Sequence, residues 1–109
     1  MIIEQMSIAV PSGQRQQMAS ALGSFVGPTQ VQPGCLSCQL YQSWSDPDEL
    51  RFESRWLEES DLIRYLKSSS YKQVLLLMEL SSTPPRVEFF VVVEAHGLEL
   101  VEAARLRHE

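Results

Sequence analysis

The sequence predicts an α+β domain with a ferredoxin-like antiparallel sheet in the order β-α-β-β-α-α-β. Three observations predict it. First, the alternating run Leu50-Arg51-Phe52-Glu53-Ser54-Arg55-Trp56 passes without glycine or proline into the helical pattern of Leu62, Ile63 and Leu66. The period changes from two to about 3.6 just after a tryptophan, which marks a strand–helix junction carrying a large aromatic ring. Second, two strand patterns flank the short turn Ser45-Asp46-Pro47-Asp48, as in a hairpin. Third, the last strand pattern, Val87 to Glu94, is apolar on both faces.

The elements follow in order. Ile2, Met6, Ile8 and Val10 share one parity and give the first strand a strongly apolar face. Pro11-Ser12-Gly13 ends it, with Ser12 as the expected N-cap of a helix. That helix carries Met18, Ala21, Leu22, Phe25 and Val26 as one stripe, and Gly27-Pro28 is expected to stop it. Pro33-Gly34 is a turn signal before a strand from Cys35 to Trp44, and the hairpin returns from Glu49 to Trp56. A helix from Glu59 to Lys67 places Glu59 and Asp61 at the positive end of its dipole.

Ser68-Ser69-Ser70 breaks that helix and caps the next, Tyr71 to Leu80, which is apolar on almost every side. Such cover predicts burial on two sides, partly against a partner. The doubly apolar Val87–Glu94 reads as a central strand. Leu98, Leu100 and Val101 then form an apolar tail, a further strand or an arm onto a neighbour, and 103–109 reads as a charged, frayed end. The whole of 1–109 is one domain, with 97–109 as a C-terminal extension. Apolar groups left on the second sheet face predict a homodimer.

A net charge of −5 and scattered Lys and Arg residues argue against a nucleic-acid partner. No apolar run approaches the roughly 18 residues of a membrane span, and the N-terminus has no basic leader pattern, so a cytoplasmic protein without a membrane partner is expected. Cys35 and Cys38 are spaced C-x-x-C, which admits a zinc half-site, a redox pair or two separate structural thiols. The remaining candidate metal ligands, His96 and His108, lie near the far end, and a regular strand would point the two cysteines to opposite faces. Separate thiols and no metal are therefore expected.

No phosphate loop, dinucleotide fingerprint or serine elbow is present. Trp56 is the residue of most interest, as a core aromatic or as a pocket wall whose indole N–H faces a ligand oxygen. Tyr65 and Tyr71 either line the same cavity or lie on helix surfaces; Tyr65 sits at the border of the apolar face, where its hydroxyl can reach a pocket. Trp56, Tyr65 and Tyr71 are the catalytic candidates; Ser7, Phe52, Trp56 and Phe90 are the substrate-binding candidates.

The first strand with Val10-Pro11-Ser12-Gly13, then Pro33-Gly34-Cys35, Asp46-Pro47, Phe52, Trp56, Leu62, Leu66-Lys67-Ser68 and Tyr71 occur in a specific order. In these the chain resembles the antibiotic biosynthesis monooxygenase family, the quinol-monooxygenase-like members of the dimeric α+β barrel superfamily. The resemblance covers about residues 1–95. It implies a ferredoxin-like homodimer and, for some members, oxygenation of a quinol or polycyclic phenol by molecular oxygen without metal, flavin or haem. Trp56 matches the tryptophan near the cavity of polyketide-oxidising relatives; Tyr65 stands where a histidine is usual, and Ser70-Tyr71 where another is frequent. The haem-degrading pattern is not met: its tryptophan and histidine positions fall on Tyr65 and Leu75, and the first strand has no asparagine. The alternative is a non-catalytic homodimer that holds a small apolar ligand.

Overall fold

The computed structural model describes residues 1–107; His108 and Glu109, and with them part of the C-terminal extension, lie outside the described residues. The strands are β1 (Ile2–Ala9), β2 (Cys35–Gln42), β3 (Glu49–Trp56) and β4 (Arg86–Val91). The helices are α1 (Arg15–Gly23), α2 (Val26–Gln30), α3 (Glu59–Leu66), α4 (Ser69–Met78) and α5 (Leu98–Leu106). All strand pairings are antiparallel, in the order β2-β3-β1-β4. This is the ferredoxin-like α+β arrangement, with β1 and β3 in the centre.

Burial alternates strictly along β1, with Ile2, Glu4, Met6 and Ile8 on the buried face. Their cross-strand neighbours on β3, Trp56, Ser54, Phe52 and Leu50, are buried too. Met18 and Leu22 of α1, Leu62 and Tyr65 of α3, and Tyr71, Val74 and Met78 of α4 close this face from above. The core is therefore one layer deep, between one sheet face and the helices.

Five expectations are corrected by the structure. The first helix ends at Gly23, and Gly27-Pro28 lies inside the short α2. Pro28 sits in the first turn of α2, where its missing N–H has no intrahelical partner to lose. The residue preceding α1 is Gln14, with no side-chain cap, so Ser12 does not cap it. The strand β4 is an edge strand, not a central one, and Phe89, Phe90 and Val91 remain exposed. The tail after Gly97 is neither strand nor frayed coil through residue 106 but α5, none of whose residues is buried. The radius of gyration, 16.3 Å, exceeds the roughly 13 Å of a compact chain of this length.

The fifth correction concerns the cysteines. The pairing of β2 with β3 shifts register between Cys35 and Ser37, so Leu36 is an extra residue. Cys35 then lies opposite Trp56 and Cys38 opposite Ser54, both buried-face residues. The bulge puts the two thiols on the same face instead of opposite ones. Both are free.

The second sheet face is more polar than the sequence pattern suggested. Gln5 donates to Glu53 at 2.9 Å, and the Arg55 guanidinium pairs with the other Glu53 oxygen at 3.2 Å. A shallow groove of about 660 Å³ runs over this face, lined among others by Ser7, Tyr41, Arg51, Glu53, Arg55 and Arg86. No helix among the described residues is long and apolar enough to cross a membrane.

Candidate active site

Trp56 ends β3 and lies flat beneath α3. It is fully buried, and its ring stacks on Tyr65 with centroids 4.7 Å apart. Tyr65 in turn meets the edge of Tyr71 at 5.0 Å. Local sequence fixes each ring. Tyr65 follows Leu62 by three residues, on the inward face of α3. Tyr71 is in the first turn of α4, where the Ser68 hydroxyl accepts its backbone N–H at 3.1 Å. The serine triplet thus sets the start of α4 and with it the aim of the Tyr71 ring.

The three rings converge beside a residue that pattern reading passed over. Glu4 is completely buried on the core face of β1. Its Oε2 accepts the Tyr71 hydroxyl at 2.6 Å, and its Oε1 accepts the Ser54 hydroxyl at 3.1 Å. Ser54 Oγ accepts the Trp56 indole N–H at 2.8 Å. The indole is therefore committed within the protein, whereas the sequence left it open to a ligand. The side-chain partners of Glu4 among the described residues are the Tyr71 and Ser54 hydroxyls, which offset its burial. Burial raises the Glu4 carboxyl above its ordinary value of 4.5, against the opposing pull of the Tyr71 and Ser54 hydrogen bonds.

The neighbours titrate high as well. Burial first, and then the Glu4 charge, push both the Tyr71 and the Tyr65 phenols above the ordinary tyrosine range. Burial and the adjacent Cys35 push the Cys38 thiol up to about 12. The Thr29 hydroxyl on α2 lies near enough to Tyr65 and Cys38 to favour their ionised forms slightly. Yet neither Thr29 Oγ1 nor the Tyr65 hydroxyl has a partner of hydrogen-bond geometry, and both are buried. Two orphaned hydroxyls beside three aromatic rings are an unusual investment for a core alone.

The placement of the sequence candidates is thus mixed. Trp56, Tyr65 and Tyr71 form one cluster, and Phe52 lies on the same sheet face, one alternate position from Ser54. Ser7 and Phe90 project from the other face: Ser7 lines the outer groove, and Phe90 pairs with Ile3 at the β4 edge. Tyr65 points into packed interior, and the rings themselves fill the space between sheet and helices. Glu4, Ser54 and Thr29 were missed. Glu4 had a legible signal, a carboxylate at the one polar position in the run Ile2, Glu4, Met6, Ile8. Among the described residues no cluster of three His, Cys, Asp or Glu is placed to hold a metal ion.

The family model for antibiotic biosynthesis monooxygenases matches residues 1–75, which span β1 through most of α4 and every member of this cluster. The chain belongs to the antibiotic biosynthesis monooxygenase family. Solved structures agree in fold. A candidate antibiotic biosynthesis monooxygenase from Deinococcus radiodurans superposes with a TM-score of 0.81 at 15% identity, covering 89% of this chain and 97% of that one. A Mycobacterium tuberculosis protein gives 0.78 at 21% identity, covering 88% and 98%. A further candidate of the same type, from Nitrosomonas europaea, gives 0.77 at 13%, covering 86% and 100%. No curated protein matches the sequence.

Proposed function

We propose that this family member is a monooxygenase that acts on a quinol or polycyclic phenol with molecular oxygen, the reduced aromatic substrate itself supplying the electrons. The observation that carries this reading is the Trp56–Tyr65–Tyr71 aromatic layer ending on hydroxyl groups. Flat rings offer stacking surfaces to a flat substrate. The Tyr65 hydroxyl is buried without a partner, so a phenolic oxygen admitted beside it by a shift of the rings would receive its hydrogen bond as negative charge develops there. Phe52 extends the apolar floor.

A homodimer accompanies this reading. The outer groove alternates Glu49, Glu53 and Glu88 with Arg51, Arg55 and Arg86, a pattern of balanced sign that suits a second copy turned by a two-fold axis. Phe90 on the outer face of β4 and the apolar residues of α5 are exposed and open to a partner. The alternative, a non-catalytic homodimer holding a small apolar ligand, draws support from the tight filling of the space between sheet and helices.

Oxygen uptake decides between them. The protein in metal-free buffer is mixed with reduced quinols and polycyclic phenols under air. Uptake above the spontaneous rate, lost in Trp56→Ala, supports the oxygenase. Binding of these compounds without uptake leaves the ligand-holding dimer.

A further inference from the structure

We infer that Glu4 is the terminal proton acceptor of this site, and that the Tyr71 hydroxyl relays the proton to it from the substrate. The inference rests on the oxygenase reading above and deepens it. Glu4 occupies a position where the rest of the strand places Ile2, Met6 and Ile8. A carboxylate there is costly to desolvate, and an apolar residue would serve stability better. What faces it is uniformly uncharged or acidic. Ser54 comes from β3, Phe89 from β4 and Tyr71 from α4, with Tyr65 and Cys38 near enough to feel its charge. No cation lies in this set, so the carboxylate is not the half of a buried ion pair. Instead each oxygen ends a hydroxyl chain, one through Tyr71 and the other through Ser54 to the Trp56 indole.

Such an arrangement accepts a proton with little rearrangement. The substrate phenol gives its proton to the Tyr71 oxygen while the Tyr71 proton crosses the 2.6 Å bond to Glu4 Oε2. Phenol and carboxylate become phenolate and carboxylic acid, and Tyr71 is neutral before and after. Its phenol is held above the ordinary tyrosine range, which suits a relay that never carries the charge itself. For a polycyclic phenol such as the enol form of anthrone, the balance closes with oxygen as the oxidant. The phenol O–H and the ring C–H opposite it are lost, the phenol oxygen becomes one C=O, one atom of O2 becomes the second, and the other leaves as water. The proton parked on Glu4 and the C–H proton are the two in that water.

Substrate entry in this proposal is at the β4 flank. Phe89 is the β4 partner of Glu4 in the β1–β4 ladder and lies on the same sheet face, yet 46% of it is exposed. The helical layer therefore thins beside the relay, and Phe89 is an apolar surface over which an aromatic substrate approaches Tyr71.

The test uses the full-length protein and anthrone. Anaerobic calorimetry gives binding, and oxygen uptake against pH gives kcat and KM. Glu4→Gln and Tyr71→Phe should bind anthrone within a few-fold of the parent while kcat falls about 100-fold or more. Glu4→Gln should also lose the acid limb of the kcat profile, and Glu4→Asp should restore part of the rate. If Glu4→Gln fails to fold, by circular dichroism, Tyr71→Phe carries the same expectation. A parent that turns over, with both variants retaining its kcat and its acid limb, overturns the relay and leaves the oxygenase standing. A parent that neither binds anthrone nor consumes oxygen with it overturns both.

Discussion

Replacing Tyr71 by Phe deletes one oxygen atom and nothing else, which makes it the cleanest probe of the buried carboxylate. The lost bond is short, 2.6 Å, and its acceptor is charged when Glu4 is ionised. A hydrogen bond to a charged group contributes about 1.5–3 kcal/mol, against about 0.5–1.5 kcal/mol for a neutral one. The cost of the substitution therefore depends on the ionisation state of Glu4. Burial raises the Glu4 carboxyl above 4.5, so the folded state holds the proton more tightly than the unfolded chain does. The stability this contributes is fully present below the unfolded value and is lost as pH rises through the folded one. The Tyr71 hydrogen bond works against that loss by lowering the folded value.

Tyr71→Phe should accordingly cost about 1 kcal/mol at an acid pH where Glu4 is protonated and about 2–3 kcal/mol at an alkaline pH where it is ionised. The Tyr71 phenol itself is pushed up, so its own ionisation does not enter this window. Urea unfolding at the two pH values, followed by tryptophan fluorescence, measures the difference. At about 4–8 °C per kcal/mol for a domain near this size, the melting temperature should fall by some 10 °C more at the higher pH. An equal cost at both pH values would refute the reasoning, because it would mean that Glu4 does not change charge between them.

Other expectations concern the scaffold. Gly34 has φ +80°, and a Cβ there would run into the Asp61 side chain, whereas Gly13, also at φ +80°, faces open space. Gly13→Ala should cost only the left-handed penalty of about 1–2 kcal/mol, and Gly34→Ala distinctly more, read by chemical denaturation. Cys38, buried with its thiol raised to about 12, should resist iodoacetamide in the native state, and Cys35, also raised, should react more slowly than a free thiol; mass spectrometry after timed quenching would show rapid double labelling if this is wrong. Truncation after Gly97 removes α5, no residue of which is buried within its own chain, so it should leave subunit folding intact while weakening the proposed dimer in sedimentation. An unchanged association constant would exclude α5 from the interface.

The architecture was legible because it rests on periodicity. The alternation in β1 and β3, the Asp46-Pro47-Asp48 turn and the serine break before α4 each carry a local signal that tertiary contacts reinforce. What was misread depended on counts that a sequence does not print. One extra residue, Leu36, reversed the parity between Cys35 and Cys38. The apolar cover of β4 signified not a central position but an edge with one face turned to the outside, since Val87 packs on the core while Phe90 does not. A run apolar on both faces shows that both faces seek cover; it does not show that the same chain supplies it.

The site divides along the same line. Trp56, Tyr65 and Tyr71 were legible because large rings at a strand end, on an inward helix face and in a capped first turn have few places to go. Ser7 and Phe90 were placed with them on residue type alone, and strand parity sends both to the opposite face. Glu4 was lost for the converse reason. In a list of apolar positions a carboxylate is a gap, and the eye closes the gap between Ile2 and Met6. Physically it is the opposite of a gap. A strand that places a carboxylate in its core face must answer it with donors from elsewhere in the chain, and here they come from positions 54 and 71. The polar exception within an apolar parity thus ties together three elements that hydrophobic patterning treats as interchangeable. It also explains why Ser54, on the buried face of β3 between Phe52 and Trp56, is a hydroxyl where an apolar residue would otherwise pack.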